Sequence, residues 1–297
     1  MKKKLLAALA VVPLLALLAG CAAGSTGSAG SAEKDKTVKI GVVGASDPYW
    51  KVYEKAAADA GITVDIVDFA DFAQPNPALS AGELDLNQFQ HIVYLAEYNV
   101  ASKEDLVPIG ATAIYPLALY STQYDKVSAI KEGDTIAVPN DASNLARALL
   151  VLQSAKLITL KDGGTIYSTL ADIDKGKSKV TVTAVEASLT ATSLPDVAGA
   201  IVNNDFVPKA GLKVEDALAT DDPSDPNSLP YVNVFAARAE DKDNATYQKL
   251  VEIYQTTKAV QDGVLEVSAG SAQLVKTPVA DLVTSLAKVE KDTKAQK

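Results

Sequence analysis

The stretch TVKIGVVGASDPYWKVYEKAAADAGITVDIVDF, residues 37–69, decides the fold class. Val38 to Val43 is a short β-rich run, Gly44 to Asp47 supplies turn chemistry, and Tyr49 to Ala60 is compatible with a helix that Gly61 stops. Ile62 to Phe69 then reads as a second strand. Outward from here the alternation continues: Thr112 to Ser121, Thr135 to Val138, Val180 to Val185, Ala198 to Val202 and Tyr231 to Ala236 are strand-like, with helical stretches between them. Strands alternating with helices predict an α/β fold built on parallel sheets. The Asp/Pro/Asn/Ser stretch Asp221 to Pro230 reads as a loop and a plausible boundary. No fixed period points to a solenoid.

Upstream, Lys2 to Lys4 form a positive region, Leu5 to Leu18 an apolar one interrupted by Pro13, and Leu18-Ala19-Gly20-Cys21 follows with small residues before the thiol. That pattern is a secretory leader with too few apolar residues for a comfortable membrane span. The LAGC tetrad resembles the bacterial lipobox, in which the cysteine is acylated and becomes the new N-terminus. Residues 1–20 are thus expected to be removed and Cys21 to carry lipid. Residues 21–36 are expected to be a flexible tether, since Ala22 to Ala32 is Ala, Gly and Ser apart from Thr26.

Composition bounds the remaining possibilities. A chain of 297 residues that is 48% apolar and 22% charged has material for a sizeable core, in two units of about 100–150 residues or one larger domain. Its 28 basic and 37 acidic residues give a net charge of −9, or −12 once the three leader lysines are gone. Such a surface repels phosphate backbones, which argues against nucleic acid as a partner. One cysteine excludes an internal disulfide and thiolate metal clusters, and one histidine, His91, excludes a His-pair metal site. GxSxG, HExxH, CxxC and GxxxxGK[ST] are all absent from the sequence. Asp221, Asp222 and Asp225 lack the Gly and Glu of an EF-hand and read as a solvated loop. The only methionine is Met1.

What remains is a set of polar residues on apolar frameworks. In PNDASNLAR, residues 139–147, a strand ends at Pro139 and Asp141 or Ser143 can cap a helix whose buried face is Leu145, Ala148, Leu149 and Leu152. Asn144 and Arg147 share another face near the positive helix end, where a carboxylate would find a guanidinium fork and backbone N–H groups. Pairing of Arg147 with a surface acid is the other reading. The run Phe89 to Leu95 is expected to open a helix after Leu84 to Asn87, its aromatics serving core or pocket. Asn203 and Asn204 follow Ala198 to Val202 at the carboxyl end of a strand, where α/β ligand sites gather. Asn233, inside an apolar strand, is either a satisfied structural amide or a ligand contact.

LAGC, ADFAQPNPALSAGELDLNQFQHIVYL (70–95), IYPLALYS (114–121), PNDASNLARALLVLQ (139–153), KLITLKDGG (156–164), AIVNN (200–204) and PYVNVFAAR (230–238) together resemble segments found in this order in the NlpA-type methionine-binding lipoproteins of ABC importers. The similarity covers most of Val38 to Val275. It departs at Ala142, over 187–195, and in the loop Ser46 to Trp50, which carries the only tryptophan. The resemblance implies a two-lobed periplasmic-binding-protein fold with two connecting crossovers, Ile114 to Tyr120 and Leu229 to Asn233, and a ligand cleft between the lobes. One lobe would be 37–117 plus 233–297 and the other 118–232. By the same resemblance Phe72, Phe89, His91, Tyr94 and Tyr115 surround the ligand side chain, Arg147 and Asn144 its carboxylate, and Asn203 and Asn233 its remaining polar groups. The implied protein is not an enzyme and needs no cofactor. It is a monomer on the extracytoplasmic face of the cell membrane, held there by lipid, that passes methionine to membrane-embedded importer subunits. Its rivals are a binder of another small amino acid or of a methionine-containing dipeptide, a surface adhesin without transport, and an enzyme using His91 as base.

Overall fold

The computed structural model describes residues 37–225 and 228–296. The leader, Cys21 and the tether lie outside them. In the order of the chain the strands are β1 (Val38–Val42), β2 (Val64–Asp68), β3 (Leu86–His91), β4 (Val107–Ala111), β5 (Ala113–Ile114), β6 (Ala118–Tyr120), β7 (Thr135–Pro139), β8 (Thr181–Val185), β9 (Gly199–Val202), β10 (Ala219–Thr220), β11 (Asn233–Ala237) and β12 (Gln273–Leu274). The α-helices are α1 (Pro48–Asp59), α2 (Pro75–Ser80), α3 (Ile92–Ser102), α4 (Ala142–Ser154), α5 (Ala245–Thr256), α6 (Lys258–Val267) and α7 (Val279–Ala295).

The opening unit forms as its sequence suggests. Pro48 enters α1 at the first turn, where a missing N–H costs nothing. Beyond its end, Gly61 adopts a φ of +80°, and β2 then returns parallel to β1 with Val38 opposite Val64. Tyr49, Trp50, Tyr53 and Ala57 place one stripe of α1 in the core. There the Tyr53 ring lies 5.9 Å from Tyr254 and 6.3 Å from Phe235. Trp50, 2% exposed, is thus a core residue.

Two five-stranded sheets carry the fold, in the orders β2-β1-β3-β11-β4 and β10-β6-β9-β7-β8. The chain leaves the first between β5 and β6 and returns between β10 and β11. Both sheets are mixed rather than parallel: β11 runs antiparallel to β3 and β4, and β6 antiparallel to β9 and β10. Strands that follow a passage between sheets enter from the far side, so alternation with helices does not dictate their direction. One apolar cluster fills the space between the first sheet and α1, α5 and α6, and a second lies under α3 and α7. A third packs α4 on the second sheet. The fourth draws Val43, Phe72 and Phe89 from the first side together with Tyr120, Val202 and Phe206 from the second.

Three further sequence expectations need correction. Phe89 to His91 are not the start of a helix but the end of β3, all six of whose residues are buried. The polar side chains that hide this strand satisfy one another: Asn76 Nδ2 donates to Gln90 Oε1 at 2.7 Å, Asn87 Nδ2 to Asn76 Oδ1 at 2.9 Å, and Gln88 Nε2 to Thr112 Oγ1 at 3.2 Å. The expected strand Thr112 to Ser121 is broken at Tyr115 to Leu117, where Pro116 offers no ladder N–H and the chain changes sheets. The strand expected from Tyr231 starts at Asn233, because Leu229–Tyr231 forms a 3₁₀ turn.

Candidate functional site

A cavity of about 30 Å³, room for about one or two waters, lies where the two sheets face each other. Its walls include Phe72, Phe89, His91, Tyr94 and Tyr115 on one side of the sequence-derived set and Asn144, Arg147, Asn203 and Asn233 on the other. All nine expected residues therefore surround one space. Gln90, Leu117, Asn204 and Asp205 line it as well.

Phe72, Phe89, Tyr94 and Phe206 form a cluster of tilted and edge-to-face rings. Phe72 lies 5.9 Å from Phe89, 6.2 Å from Tyr94 and 5.1 Å from Phe206. Phe206 follows β9, so this last contact joins the two sides of the cavity, and the sequence reading did not select it. Its signal was there: the aromatic stands two residues past the AIVNN motif. Tyr94 Oη donates to the Phe72 carbonyl at 2.9 Å, which fixes the ring of Tyr94 edge-on to Phe89 at 5.7 Å. Ala187, Ala191 and Leu194, from the segment 187–195, back the same cluster.

The polar half is built on α4. Asp141 is its N-cap, accepting from the Asn144 N–H at 2.9 Å and from Asn144 Nδ2 at 2.8 Å. That second bond turns the Asn144 carbonyl oxygen toward the cavity, where Asn203 Nδ2 donates to it at 3.0 Å. His91 caps α3: Nδ1 accepts from the Tyr94 N–H at 3.2 Å, so Nε2 carries the proton and donates to Asn144 Oδ1 at 3.3 Å. Burial, with the Arg147 charge beside it, pushes the imidazole down to about 3. With one nitrogen capping a helix and the other protonated, His91 has no lone pair to offer as a base. Asn203 Oδ1 and Asp141 Oδ2 are buried acceptors without a hydrogen-bond partner among the described residues.

Arg147 does not project freely, as its helix phase suggests. Nε donates to Asp221 Oδ2 at 2.6 Å, Nη2 donates to the Tyr115 carbonyl at 2.8 Å, and the guanidinium lies 4.4 Å from the Tyr231 ring centre. Asp221 is consequently no solvated loop residue; its other oxygen accepts from the Leu117 N–H at 2.8 Å. Nor does α4 bury a single face: Asn144 and Arg147 are covered while Leu145 is only half-buried, since the helix is wedged between the second sheet and α3. Asp205 is the cavity's other charged group. Loss of water around it, with the Asp47 charge adding, raises its carboxyl to about 7 against the pull of Lys209. Glu97 on α3 is raised to about 8 by burial and by Asp141.

Residues 38–274 match the family model described as NlpA lipoprotein. The chain is 41% identical over 230 residues to Outer membrane lipoprotein 1 of Mannheimia haemolytica, covering 76% of this chain and 81% of that protein. Among solved structures it superimposes with a TM-score of 0.75 and 37% identity on the substrate-binding protein of a methionine transporter from Streptococcus pneumoniae, covering 80% of this chain and 95% of that one. A nutrient-binding protein from Burkholderia cenocepacia bound to methionine gives a TM-score of 0.75 at 34% identity, with 80% and 99% covered.

Proposed function

The chain belongs to the NlpA lipoprotein family, and from that premise we propose that it is the extracytoplasmic solute-binding component of an ABC importer, capturing methionine in the cavity between its sheets. The carrying observation is that a guanidinium and a wall of aromatic rings border the same cavity. A free amino acid needs both: its carboxylate takes two of the N–H groups Arg147 has left, and its ammonium has the orphan Asn203 Oδ1 and the Asp205 carboxyl as acceptors. A thioether side chain asks only for apolar contact. Burying it is worth about 1.5–3 kcal/mol, with about 0.3–1.5 kcal/mol more per favourable sulfur–aromatic contact.

In this reading Phe72, Phe89, His91, Tyr94 and Tyr115 hold the side chain, Arg147 and Asn144 the carboxylate, and Asn203 and Asn233 the remaining polar groups. The lobes are 37–117 plus 233–297 and 118–232, closing on the ligand by rigid-body rotation about the two passages. Cys21 carries two or more acyl chains, because one holds only marginally. Among the described residues no helix is long and apolar enough to cross a membrane. Catalysis has no place in this reading, since the protein binds and hands over its ligand unchanged.

Calorimetry on the soluble chain from Ala22 tests it. Methionine should bind saturably at one site, and Arg147→Ala should cost about 3–5 kcal/mol, two or more decades of affinity, by leaving the carboxylate desolvated without a partner. Binding within about threefold of wild type would sink the assignment.

A further inference from the structure

Resting on the amino-acid-binding reading above, we infer that Asp221 is a positioning residue: it lies outside the ligand cavity and sets the direction in which Arg147 presents its guanidinium. The two residues stand 74 positions apart and meet at 2.6 Å, with the Arg147 side chain 6% exposed. Of the five N–H groups of a guanidinium, two are already committed, Nε to Asp221 and one on Nη2 to the Tyr115 carbonyl. The remainder is the fork edge, and Arg147 lines the cavity.

Direction matters here because the guanidinium has two spaces beside it. Besides the ligand cavity, Arg147 borders a second one of about 230 Å³, which Leu150, Ile166, Asp221 and Tyr231 also line. Asp221 lines this second space and not the ligand cavity. By engaging Nε, the base of the fork, it leaves the Nη edge for the ligand. Without the carboxylate, the side chain has room to turn the other way.

The same carboxylate joins the two passages between the sheets. Asp221 Oδ1 accepts from the Leu117 N–H at 2.8 Å, and the Asp221 N–H donates to the Leu117 carbonyl at 3.3 Å. Leu117 lies on the outgoing passage and Asp221 on the returning one. Ligand engagement by Arg147 is thereby felt at both passages about which the lobes turn.

Asp221→Asn isolates the effect, because its amide oxygen still accepts from Leu117 while its NH₂ cannot accept from Arg147 Nε. Calorimetry with methionine and with methionine amide, which lacks the carboxylate, reads it. The wild type should prefer methionine strongly. In Asp221→Asn, methionine affinity should fall about tenfold or more, the scale of coupling between contacting residues, while the amide's affinity hardly changes. The double variant with Arg147→Ala should bind no worse than Arg147→Ala alone. Three results overturn the inference: an unchanged methionine-to-amide ratio, losses that add in the double variant, or tighter methionine binding, which would make Asp221 a competitor of the ligand carboxylate. A wild type that binds no methionine would instead bring down the amino-acid reading itself. A second measurement needs no variant. The chain has two arginines, Arg147 and Arg238, so the Arg147 Nε–H is readily assigned by nitrogen NMR. It should stay protected from exchange as methionine is added, and loss of that protection on binding would refute the role.

Discussion

His91 is the only histidine in the chain, so its protonation can be followed without ambiguity. The ring is buried, caps α3 through Nδ1, donates to Asn144 through Nε2, and lies beside the charge of Arg147. Protonating it would break the cap and place a second cation next to the first. A fall from 6.5 to about 3 corresponds to roughly 4–5 kcal/mol of preference for the neutral ring. The unfolded chain takes up this proton near 6.5 and the folded chain only near 3. Stability is therefore complete above about pH 6.5 and declines as pH falls from there toward 3. Imidazole nitrogen and carbon-bound proton shifts, recorded from pH 8 down to the onset of acid unfolding, are the assay. The expected spectrum is a single neutral tautomer with the proton on Nε2 and no midpoint between about pH 5 and 8, the range where an unperturbed histidine titrates. A midpoint near 6.5 would refute the buried, doubly engaged ring and would reopen His91 as a candidate base.

Three further outcomes test other parts of the structure. Gly110→Ala would place a Cβ 2.2 Å from Val251 Cγ1, so α5 must lift from β4; a loss of about 1–3 kcal/mol in chemical denaturation is expected, and an unchanged midpoint would show slack at that contact. Glutamine should bind at least about tenfold more weakly than methionine in competition calorimetry, because its side-chain amide loses water against rings that offer few partners, a cost of about 1–3 kcal/mol. Cys21→Ser should release the protein from membranes on fractionation, and undiminished retention would exclude lipid as the anchor.

How far the fold was legible depended on which forces wrote it. The unit of β1, α1 and β2 is local: apolar runs, a proline at the helix start and a glycine after its end suffice. β3 was not legible, because its core positions are filled by Asn87, Gln88 and Gln90, whose partners Asn76 and Thr112 come from α2 and the end of β4. Polarity marks a surface only when no neighbour satisfies it, and that neighbour cannot be found by period. The antiparallel course of β6 and β11 was hidden for a related reason, since direction follows from which way the chain crosses between sheets. At the site, motif matches brought nine residues to one cavity. They did not point to Phe206 or Asp221, which meet the lining residues Phe72 and Arg147 from outside that set.

Arg147 shows why spacing alone left two readings level. A ligand anchor and a structural ion pair stand as alternatives only if one pairing exhausts the side chain. The guanidinium has five donors in one plane, and pairing one edge does not consume the other. Asp221 and the Tyr115 carbonyl occupy what faces the passages, and Tyr231 covers the plane. The partner acid thus makes the ligand reading stronger, because an arginine free to rotate would have to be ordered by each ligand it met. Lysine could not serve here: its three donors on one rotating ammonium have no fixed second edge. The consequence reaches stability as well. Arg147→Ala removes bonds to Asp221 and Tyr115 along with the ligand's partner, so its melting temperature should fall in the absence of ligand, where the helix phase by itself would have predicted no change.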